Sequence, residues 1–359
     1  MFRLLDFLHR NERHISTLVF VGGFITDILT FTLLDIPVVN LLFLGYLGIA
    51  AFATFVANAL GAHFGKQGPW WKKAIAYIAP LAAQFCVGGL LSGCLIFYTK
   101  SADVFVSWPF LVLLAVIFIG NEYFRDYRSH LVFQTVLFFF GLYAYLVFAI
   151  PLYVNRLGPR VFLESTAAAA WLFALFLAIL ALIGWQRFKR TLIPIAAGSA
   201  LVLVVMVACY FTGAIPPLPL TLKQSGVYYG VSRQSDGYHI TYTGNPRWSR
   251  FVSRTVAHQP GTPLYVFSSI FAPTAFSAGI VHEWDWYDPK QGKWVPQATV
   301  AFNLTGGREA GYRGYSLKND PQLGKWRVRV ETMEGQVIGT LRFTVENTSS
   351  LPALQTAVR

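Results

Sequence analysis

Charged residues and cysteines are both scarce in this chain. Lysine, arginine, aspartate and glutamate make up 13% of its 359 residues, against about 25% in ordinary soluble domains. All three cysteines, Cys86, Cys94 and Cys209, lie in apolar stretches, and none follows residue 212. The composition therefore excludes an ordinary soluble globular protein for most of the chain, and it excludes a disulfide in the C-terminal part.

The sequence before residue 213 consists largely of long apolar runs. About 20 consecutive apolar residues are needed to cross the hydrocarbon core of a bilayer. The runs show little amphipathic periodicity, so buried helices of a large soluble protein are the less favoured interpretation. We predict a seven-helix transmembrane domain over residues 15–212, with residues 1–14 as a cytoplasmic lead-in. The seven segments are approximately 15–34, 38–60, 74–98, 108–124, 131–153, 165–184 and 191–212.

Basic residues are distributed unequally over the connections between these segments. One side has only Lys100, Arg156 and Arg160, whereas the other has eleven. Cytoplasmic connections carry the excess of lysine and arginine, which predicts a bacterial inner-membrane protein with a cytoplasmic N-terminus and periplasmic residues 213–359. The topology explains the basic excess, so the net charge of +12 does not indicate a nucleic-acid partner. The eleven are Arg3, Arg10, Arg13, Lys66, Lys72, Lys73, Arg125, Arg128, Arg187, Lys189 and Arg190.

The pattern changes to a period of two from about residue 226. Apolar Trp326 alternates with Arg327, for example, as in a half-buried strand. About nine short strands without a helix signal predict an all-β, immunoglobulin-like sandwich over residues 225–346. The three prolines of residues 213–224 indicate a stiff linker, and residues 347–359 are predicted to be a flexible tail.

The chain contains three characteristic strings in this order: GGFITDILTFTLLD (22–35), FIGNEYFRDYR (118–128) and GKWRVRVETMEGQVIGTLRFTVE (324–346). Together they resemble an uncharacterised family of bacterial inner-membrane proteins. Members of that family combine a multi-span N-terminal part with a C-terminal β domain of unknown function, and the resemblance implies this architecture but no activity. The last string also resembles, more faintly, the final hairpin of immunoglobulin-like periplasmic domains, including copper-binding sandwiches. Those place a histidine in the final turn, where this chain has none, so we expect no metal and no cofactor.

Asp27 is the sharpest candidate within the apolar segments. An ionised carboxylate in the middle of a span is costly unless it is paired or hydrated. Asp27 is therefore either part of a proton or ion relay or a structural acid that bonds to a neighbouring helix, for example through Gln84.

A second polar group is predicted at the cytoplasmic ends of the second, fourth and fifth spans. It is either a binding site for a headgroup or cytoplasmic partner or a polar cap that ties the helix ends together. Gly89 and Gly93 have the spacing that allows helices to approach closely, either for self-association or for packing within the bundle. The polar group comprises Asn58, Asn121, Glu122, Arg125 and Gln134.

In the β domain, His282, Trp284 and Trp286 are predicted to share one face of a strand. Exposed aromatic rings on such a face stack on sugars, although tryptophan in a small sandwich more often belongs to the core. Basic residues indicate either attraction to anionic lipid headgroups or acidic glycans or merely a solvated face, which is the favoured account. Glu283 and Asp285, on the other face of the strand, are candidates for pairing across strands with Arg327 or Arg329. The basic candidates are Arg313, Arg327 and Arg329.

No catalytic or metal-binding motif is present in the sequence. Our first hypothesis is therefore a non-enzymatic envelope protein whose β domain binds a protein, lipid headgroup or glycan. The bundle would lie in the lipid bilayer and contact another membrane protein or a second copy of the chain. A transporter or flippase-like role centred on Asp27 is the alternative. An enzyme acting on a lipid-linked substrate is the weakest, because no catalytic set converges.

Overall fold

The computed structural model of the chain describes most of its residues and divides it into two compact units. The helical unit comprises Met1–Thr99, Pro109–Ile150 and Phe162–Cys209, and the β unit comprises Lys100–Trp108, Pro151–Val161 and Tyr210–Arg359. The predicted lead-in over residues 1–14 lies outside the described residues. These are 22–31, 36–63, 69–123, 131–243, 254–274, 276–308, 310–349 and 353–359.

The first part of the chain is helical, as its apolar runs predict. Among the described helices, α2 to α6 are long and apolar enough to cross a membrane, and α1 is a shorter apolar helix. Large apolar side chains such as Leu41 and Leu182 are exposed, which suits a helical surface that faces lipid tails. The helices are α1 Gly22–Phe31, α2 Ile36–His63, α3 Trp70–Ser101, α4 Val104–Tyr123, α5 Leu131–Val154 and α6 Pro159–Phe211.

Helix α6 contains both the sixth and the seventh predicted segments. Gly184 has non-helical backbone angles (φ −154°, ψ 65°). A straight helix would separate Phe176 from Gly198 by about 33 Å. Instead, Phe176 stacks on Phe138 of α5 with ring centroids 4.4 Å apart, and a Cβ atom at Gly198 would lie 2.8 Å from Val136. Both halves of α6 thus contact the same stretch of α5, so the chain bends sharply at Gly184.

Glycines on α3 allow it to approach α2 closely. A Cβ atom at Gly89 would lie 3.0 Å from the ring of Tyr46, and one at Gly93 would lie 2.4 Å from the ring of Phe43. Phe43 is completely buried. The two glycines therefore serve packing within the bundle, the second of the two interpretations of their spacing.

Eleven strands in three sheets build the β unit among the residues that the structure describes. The sheet orders are β1-β5-β8, β4-β10-β9-β6-β7 and β11-β3-β2, and β4 pairs with β10 in parallel. The strands are β1 Thr221–Tyr228, β2 Gly230–Gln234, β3 Gly237–Thr243, β4 Arg254–His258, β5 Pro263–Phe271, β6 Ser277–Asp288, β7 Lys293–Thr305, β8 Tyr312–Asn319, β9 Gly324–Thr332, β10 Val337–Asn347 and β11 Leu354–Val358.

The sheet β1-β5-β8 is the middle layer because its strands alternate between two cores. Val266 of β5 joins the large core formed with the five-stranded sheet. Its neighbour Phe267 joins a smaller core with Ile240 of the sheet β11-β3-β2. A sandwich core is therefore present between the five-stranded sheet and the middle sheet, but a third sheet covers part of the other face of the middle sheet.

Two predicted boundaries differ in the structure. The predicted linker over residues 213–224 ends in β1, which begins at Thr221. The predicted tail over residues 347–359 contains β11, which pairs antiparallel with β3. Period-two patterning is weak in β11, because four of its five residues are exposed and its stability comes from edge pairing with a distant strand.

Two connections between helices belong to the β unit. The Ser101 and Thr221 hydroxyls are hydrogen-bonded at 3.1 Å. Leu157, between α5 and α6, packs against the large core, and the Arg342 guanidinium lies 4.1 Å from the ring centre of Phe105. The β unit is thus assembled from three separate stretches of chain, and residues 225–346 alone do not complete it.

Candidate functional site

Gln84 and Asn121 join α3 to α4 by a reciprocal pair of hydrogen bonds. The Gln84 side-chain amide donates to the Asn121 carbonyl oxygen at 3.1 Å, and the Asn121 amide donates to the Gln84 carbonyl oxygen at 3.3 Å. Gly88 makes room for this contact, since a Cβ atom there would lie 3.1 Å from Asn121 Nδ2. Because Asn121 is near the end of α4, its carbonyl is among those that a helix leaves unsatisfied, and Gln84 satisfies it.

A small cavity of about 20 Å³ adjoins this pair, and such a volume suits one water molecule. Asn58 lies one turn beyond Thr54 on α2; its amide donates to the Leu180 carbonyl oxygen at 3.4 Å, and its Oδ1 atom has no partner among the described residues. The structure thus brings three predicted residues to one place, with Asn58 near by on α2. The lining residues are Thr54, Ala83, Gln84, Val87, Asn121, Phe133, Gln134, Leu137 and Phe138.

Asp27 of α1 lies beside the face of α3 that also lines this cavity. Its side chain is half-buried, and its carboxyl group lies near Ser92, although the Ser92 hydroxyl makes no hydrogen bond of regular geometry among the described residues. Gln84, Gly88 and Ser92 follow one another at intervals of four residues, so they form one stripe on α3 about 12 Å long. Asp27 and Gln84 are at opposite ends of this stripe, which we call the α3 polar stripe.

Two predicted members of the polar group cannot be placed. Arg125 lies outside the described residues, and of Glu122 only the helical backbone at the end of α4 is described. Their membership of the polar group therefore stays a prediction.

The predicted aromatic face of β6 points into the core. His282 and Trp284 are fully buried, because this face of β6 packs towards the middle sheet. Trp284 meets the rings of Trp326 and Phe343 edge-on. Trp286 is half-buried, and its indole N–H donates to the Leu323 carbonyl oxygen at 3.0 Å. The sugar-stacking interpretation of His282 and Trp284 is therefore wrong, and the core interpretation holds.

His282 is held by two serine hydroxyls. Its Nε2 atom lies 2.8 Å from Ser268 Oγ, and its Nδ1 atom lies 2.9 Å from Ser316 Oγ. Ser316 also accepts a hydrogen bond from Trp284 Nε1 at 2.9 Å. Burial lowers the pKa of His282 to about 3, so the ring is neutral in the folded protein at ordinary pH.

This neutral imidazole predicts a loss of stability in acid. The unfolded chain takes up a proton on His282 below about pH 6.5, whereas the folded protein does so only near pH 3. Above pH 6.5 His282 is neutral in both states and the free energy of unfolding is not reduced. As the pH falls from 6.5 towards 3, the free energy of unfolding decreases by about 1.4 kcal/mol per pH unit. His282→Gln should remove this slope in thermal-unfolding measurements on the full-length protein between pH 6 and 4.

The matched control for this experiment is His239→Gln, at a partly exposed histidine of β3 that bonds to Asp236 in the β2–β3 turn. Subtracting each variant from the unsubstituted protein removes the contribution of other titrating groups. An acid slope that persists in His282→Gln, or that disappears equally in His239→Gln, would contradict the assignment.

The opposite face of β6 forms an ion-pair ladder with β9. Asp285, which is 1% exposed, accepts from Arg327 Nε at 2.7 Å and from Arg329 Nε at 3.4 Å. Arg329 also pairs with Glu283 at 2.7 Å and with Glu331 at 3.4 Å. The prediction of cross-strand pairing is confirmed.

The ladder leaves little free positive charge on this face. Three carboxyl groups surround two guanidinium groups, and burial together with the neighbouring Glu283 raises the pKa of Glu331 to about 7. Arg327 also lies 4.8 Å from the ring centre of Trp294. Arg327 and Arg329 are therefore structural, and we no longer assign them to an anionic ligand.

Arg313 lies on a different sheet from Arg327 and Arg329. It belongs to β8, and its carbonyl oxygen accepts from the Tyr238 hydroxyl at 3.2 Å. Tyr315 and Leu317 follow on the same face of β8 and are 38% and 40% exposed. Tyr265 lies directly opposite Leu317 on β5. We call the five residues Tyr238, Tyr265, Arg313, Tyr315 and Leu317 the β8 strip.

Sequence reasoning singled out Arg313 but missed the aromatic members of the strip. Period-two spacing does put Arg313, Tyr315 and Leu317 on one face of a strand. Whether that face is exposed depends on how far the sheet β11-β3-β2 extends over the middle sheet. The sequence carries no local signal for this extent.

Residues 277–345, within the β unit, match a family described as "Protein of unknown function (DUF2914)". The C-terminal part is thus a β domain that contains a region of unknown function. No match to this chain is found among curated proteins.

Two solved structures are similar to parts of this chain at low identity. An immunoglobulin-like protein from Pseudomonas aeruginosa is 12% identical, with a TM-score of 0.21; the alignment covers 35% of this chain and 96% of that one. The alkylpurine DNA glycosylase AlkC of Pseudomonas fluorescens, solved with DNA containing an abasic site analog, is 10% identical, with a TM-score of 0.24. That alignment covers 85% of this chain and 99% of the glycosylase. Neither similarity bears on function.

Proposed function

We propose that this chain is a non-enzymatic protein of the bacterial inner membrane whose β unit binds a partner in the periplasm. Seven crossings would put the N-terminus in the cytoplasm and the β unit on the other side. The observation that carries this topology is the membership of the β unit. It takes up the connections α3–α4 and α5–α6 and the residues after α6, which are the three stretches that the basic-residue distribution places outside.

The bend in α6 supports the odd number of crossings. A straight helix of 53 residues would be about 80 Å long, more than twice the hydrocarbon thickness of about 30 Å. Both ends of α6, Pro159–Val161 and Tyr210–Phe211, belong to the β unit. Two crossings that meet near Gly184 satisfy both facts, and in this proposed topology the basic residues after Gly184 would lie at the cytoplasmic surface.

The β8 strip is the surface that best supports partner binding. Tyr315 and Leu317 are exposed on the flat outer face of a sheet, with Arg313 beside them. Tyrosine and arginine dominate the energetics of protein interfaces, and aromatic rings also stack on sugars. A protein or a glycan is thus the partner that this face supports.

The strip can be tested by crosslinking in intact membranes. We expect Leu317 replaced by a photo-crosslinking residue to yield an adduct whose yield falls at least fivefold when Tyr315→Asp is added. Thr299, exposed on β7 of the five-stranded sheet, is the matched position for both the crosslinker and the aspartate. Equal adducts from Leu317 and Thr299, or insensitivity to Tyr315→Asp, would exclude the strip as the binding face.

The α3 polar stripe favours a transport role as the second candidate. It runs from a half-buried carboxyl group in α1 to a small cavity between helices, where four of the nine lining residues are polar, and ionisable residues in spans mark proton or ion paths. If the stripe carries protons, Asp27→Asn should abolish proton flux in proteoliposomes while thermal stability is retained. Thr26→Val, which removes a hydroxyl that donates to the Gly22 carbonyl oxygen of its own helix, should leave the flux unchanged. Flux that survives Asp27→Asn would reject this role.

A further inference from the structure

The hydroxyl contact between Ser101 and Thr221 brings two lysines together. Ser101 ends α3 and Thr221 begins β1, and their hydroxyl oxygens are 3.1 Å apart. Lys100 and Lys223 flank this contact and repel each other electrostatically. Both side chains are exposed, so the fold brings two positive charges into the same region of the β unit's surface.

A third cation and two aromatic rings fix the surroundings. Lys223 Nζ lies 5.2 Å from the ring centre of Phe271, and Arg342 lies 4.1 Å from the ring centre of Phe105. The carboxyl group in the α3–α4 connection, Asp103, is buried and accepts from the Phe105 backbone N–H at 3.0 Å. Its role is to cap α4, so the exposed groups of this connection are predominantly positive.

The position of these cations in the chain indicates which anion they meet. The connection joins α3 to α4, two helices long and apolar enough to cross a membrane. Its side chains Val104, Phe105 and Trp108 are 41%, 45% and 58% exposed. Tryptophan is enriched at the headgroup level of bilayers, which suits Trp108. If the helices cross the membrane, as the proposed function requires, Lys100 and Lys223 lie at the depth of lipid phosphates.

We infer that Lys100 and Lys223, flanked by Arg342, bind the phosphate of an anionic phospholipid headgroup in the outer leaflet. An ammonium–phosphate contact is a charge-assisted hydrogen bond, and one phosphate placed between two ammonium groups removes their mutual repulsion. The Ser101–Thr221 hydroxyl pair joins the two chain segments that carry the lysines. The site therefore ties the β unit to the bilayer surface by charge, in addition to the covalent connections.

The test uses the full-length protein in nanodiscs of phosphatidylcholine with or without phosphatidylglycerol, and spin-labelled lipids report selectivity for the anionic headgroup. We expect Lys100→Gln with Lys223→Gln to reduce this selectivity by about 25-fold, since each basic residue near an anionic surface contributes about fivefold. Lys100→Arg with Lys223→Arg should retain it. Lys290→Gln with Lys293→Gln, at exposed lysines of the β6–β7 turn, is the control of equal charge change and should have no effect.

Each outcome separates the headgroup site from the proposed function. If selectivity survives Lys100→Gln with Lys223→Gln, or falls equally in the control pair, the headgroup site is overturned. The proposed function still stands in that case, provided that the protein remains embedded in the membrane. Displacement of the lipid by millimolar inorganic phosphate would show a free-phosphate site and overturn the lipid assignment. Removal of the unsubstituted protein from membranes by alkaline carbonate would overturn both.

Discussion

Replacing Asp285 by alanine is expected to lower the free energy of unfolding of the β unit by about 3–5 kcal/mol. Asp285 is 1% exposed and accepts from Arg327 at 2.7 Å and from Arg329 at 3.4 Å. Its removal leaves two half-buried guanidinium groups near each other without their shared partner, and an uncompensated charge in a buried site is costly. Urea unfolding of the full-length protein, followed by tryptophan fluorescence, measures the loss.

Glu283→Ala is the matched control for Asp285→Ala. Glu283 lies on the same strand and pairs with Arg329 at 2.7 Å, but its side chain is 19% exposed and the guanidinium keeps its contacts with Asp285 and Glu331. We expect a loss of about 1 kcal/mol or less, as for partly exposed ion pairs. Equal losses in the two variants would show that the burial of Asp285 is not what makes the ladder matter.

The second large effect is expected in the helical unit. Gly93→Leu should prevent α2 and α3 from packing, because even a Cβ atom at this position would lie 2.4 Å from the ring of Phe43. Phe43 is fully buried and meets the rings of Phe31, Phe97, Tyr145 and Phe148, so it has no room to move aside. Overpacking of this kind costs about 1–3 kcal/mol or more, and the melting temperature in detergent should fall.

Gly48→Leu on α2 separates this clash from the effect of adding leucine to a span. Gly48 is exposed, and a Cβ atom there would have no neighbour within 4 Å. We expect its melting temperature to match that of the unsubstituted protein. If the Gly93→Leu protein has the same melting temperature as the Gly48→Leu protein, the close approach of the two helices is contradicted.

The apolar runs predicted the helices well because the requirement for about 20 apolar residues is local. Helix α6 shows where this reasoning stops. The basic residues after Gly184 separated two predicted segments, whereas the structure continues the helix through them with one non-helical residue. Only the contacts of Phe176 and Gly198 with α5 reveal that the chain folds back there.

In the β unit, alternation identified strands but not which face is buried. His282 and Trp284 were correctly placed on one face, with Asp285 on the other. Both faces hold buried residues, since one side of β6 contacts the core and the other carries the ion-pair ladder. Which side faces the middle sheet depends on sheet order, which residue spacing does not encode.

The remaining differences come from pairing between distant parts of the chain. Strand β11 forms against β3, more than one hundred residues earlier, and Leu157 between two helices completes the large core. In the bundle, the polarity of Gln84 and Asn121 within apolar segments predicts them as candidate site residues. Their reciprocal bonds to backbone carbonyl oxygens depend on the approach of α3 to α4, which Gly88 permits.

The central claim is that the β unit and the bend at Gly184 lie on opposite sides of the membrane. Single cysteines at Ser235, exposed in the β2–β3 turn, and at Gln186, exposed beside the bend, test it in a background without Cys86, Cys94 and Cys209. With a membrane-impermeant maleimide on intact spheroplasts, we predict labelling at position 235 at once and at position 186 only after permeabilisation. Labelling of both positions from the same side would contradict the account.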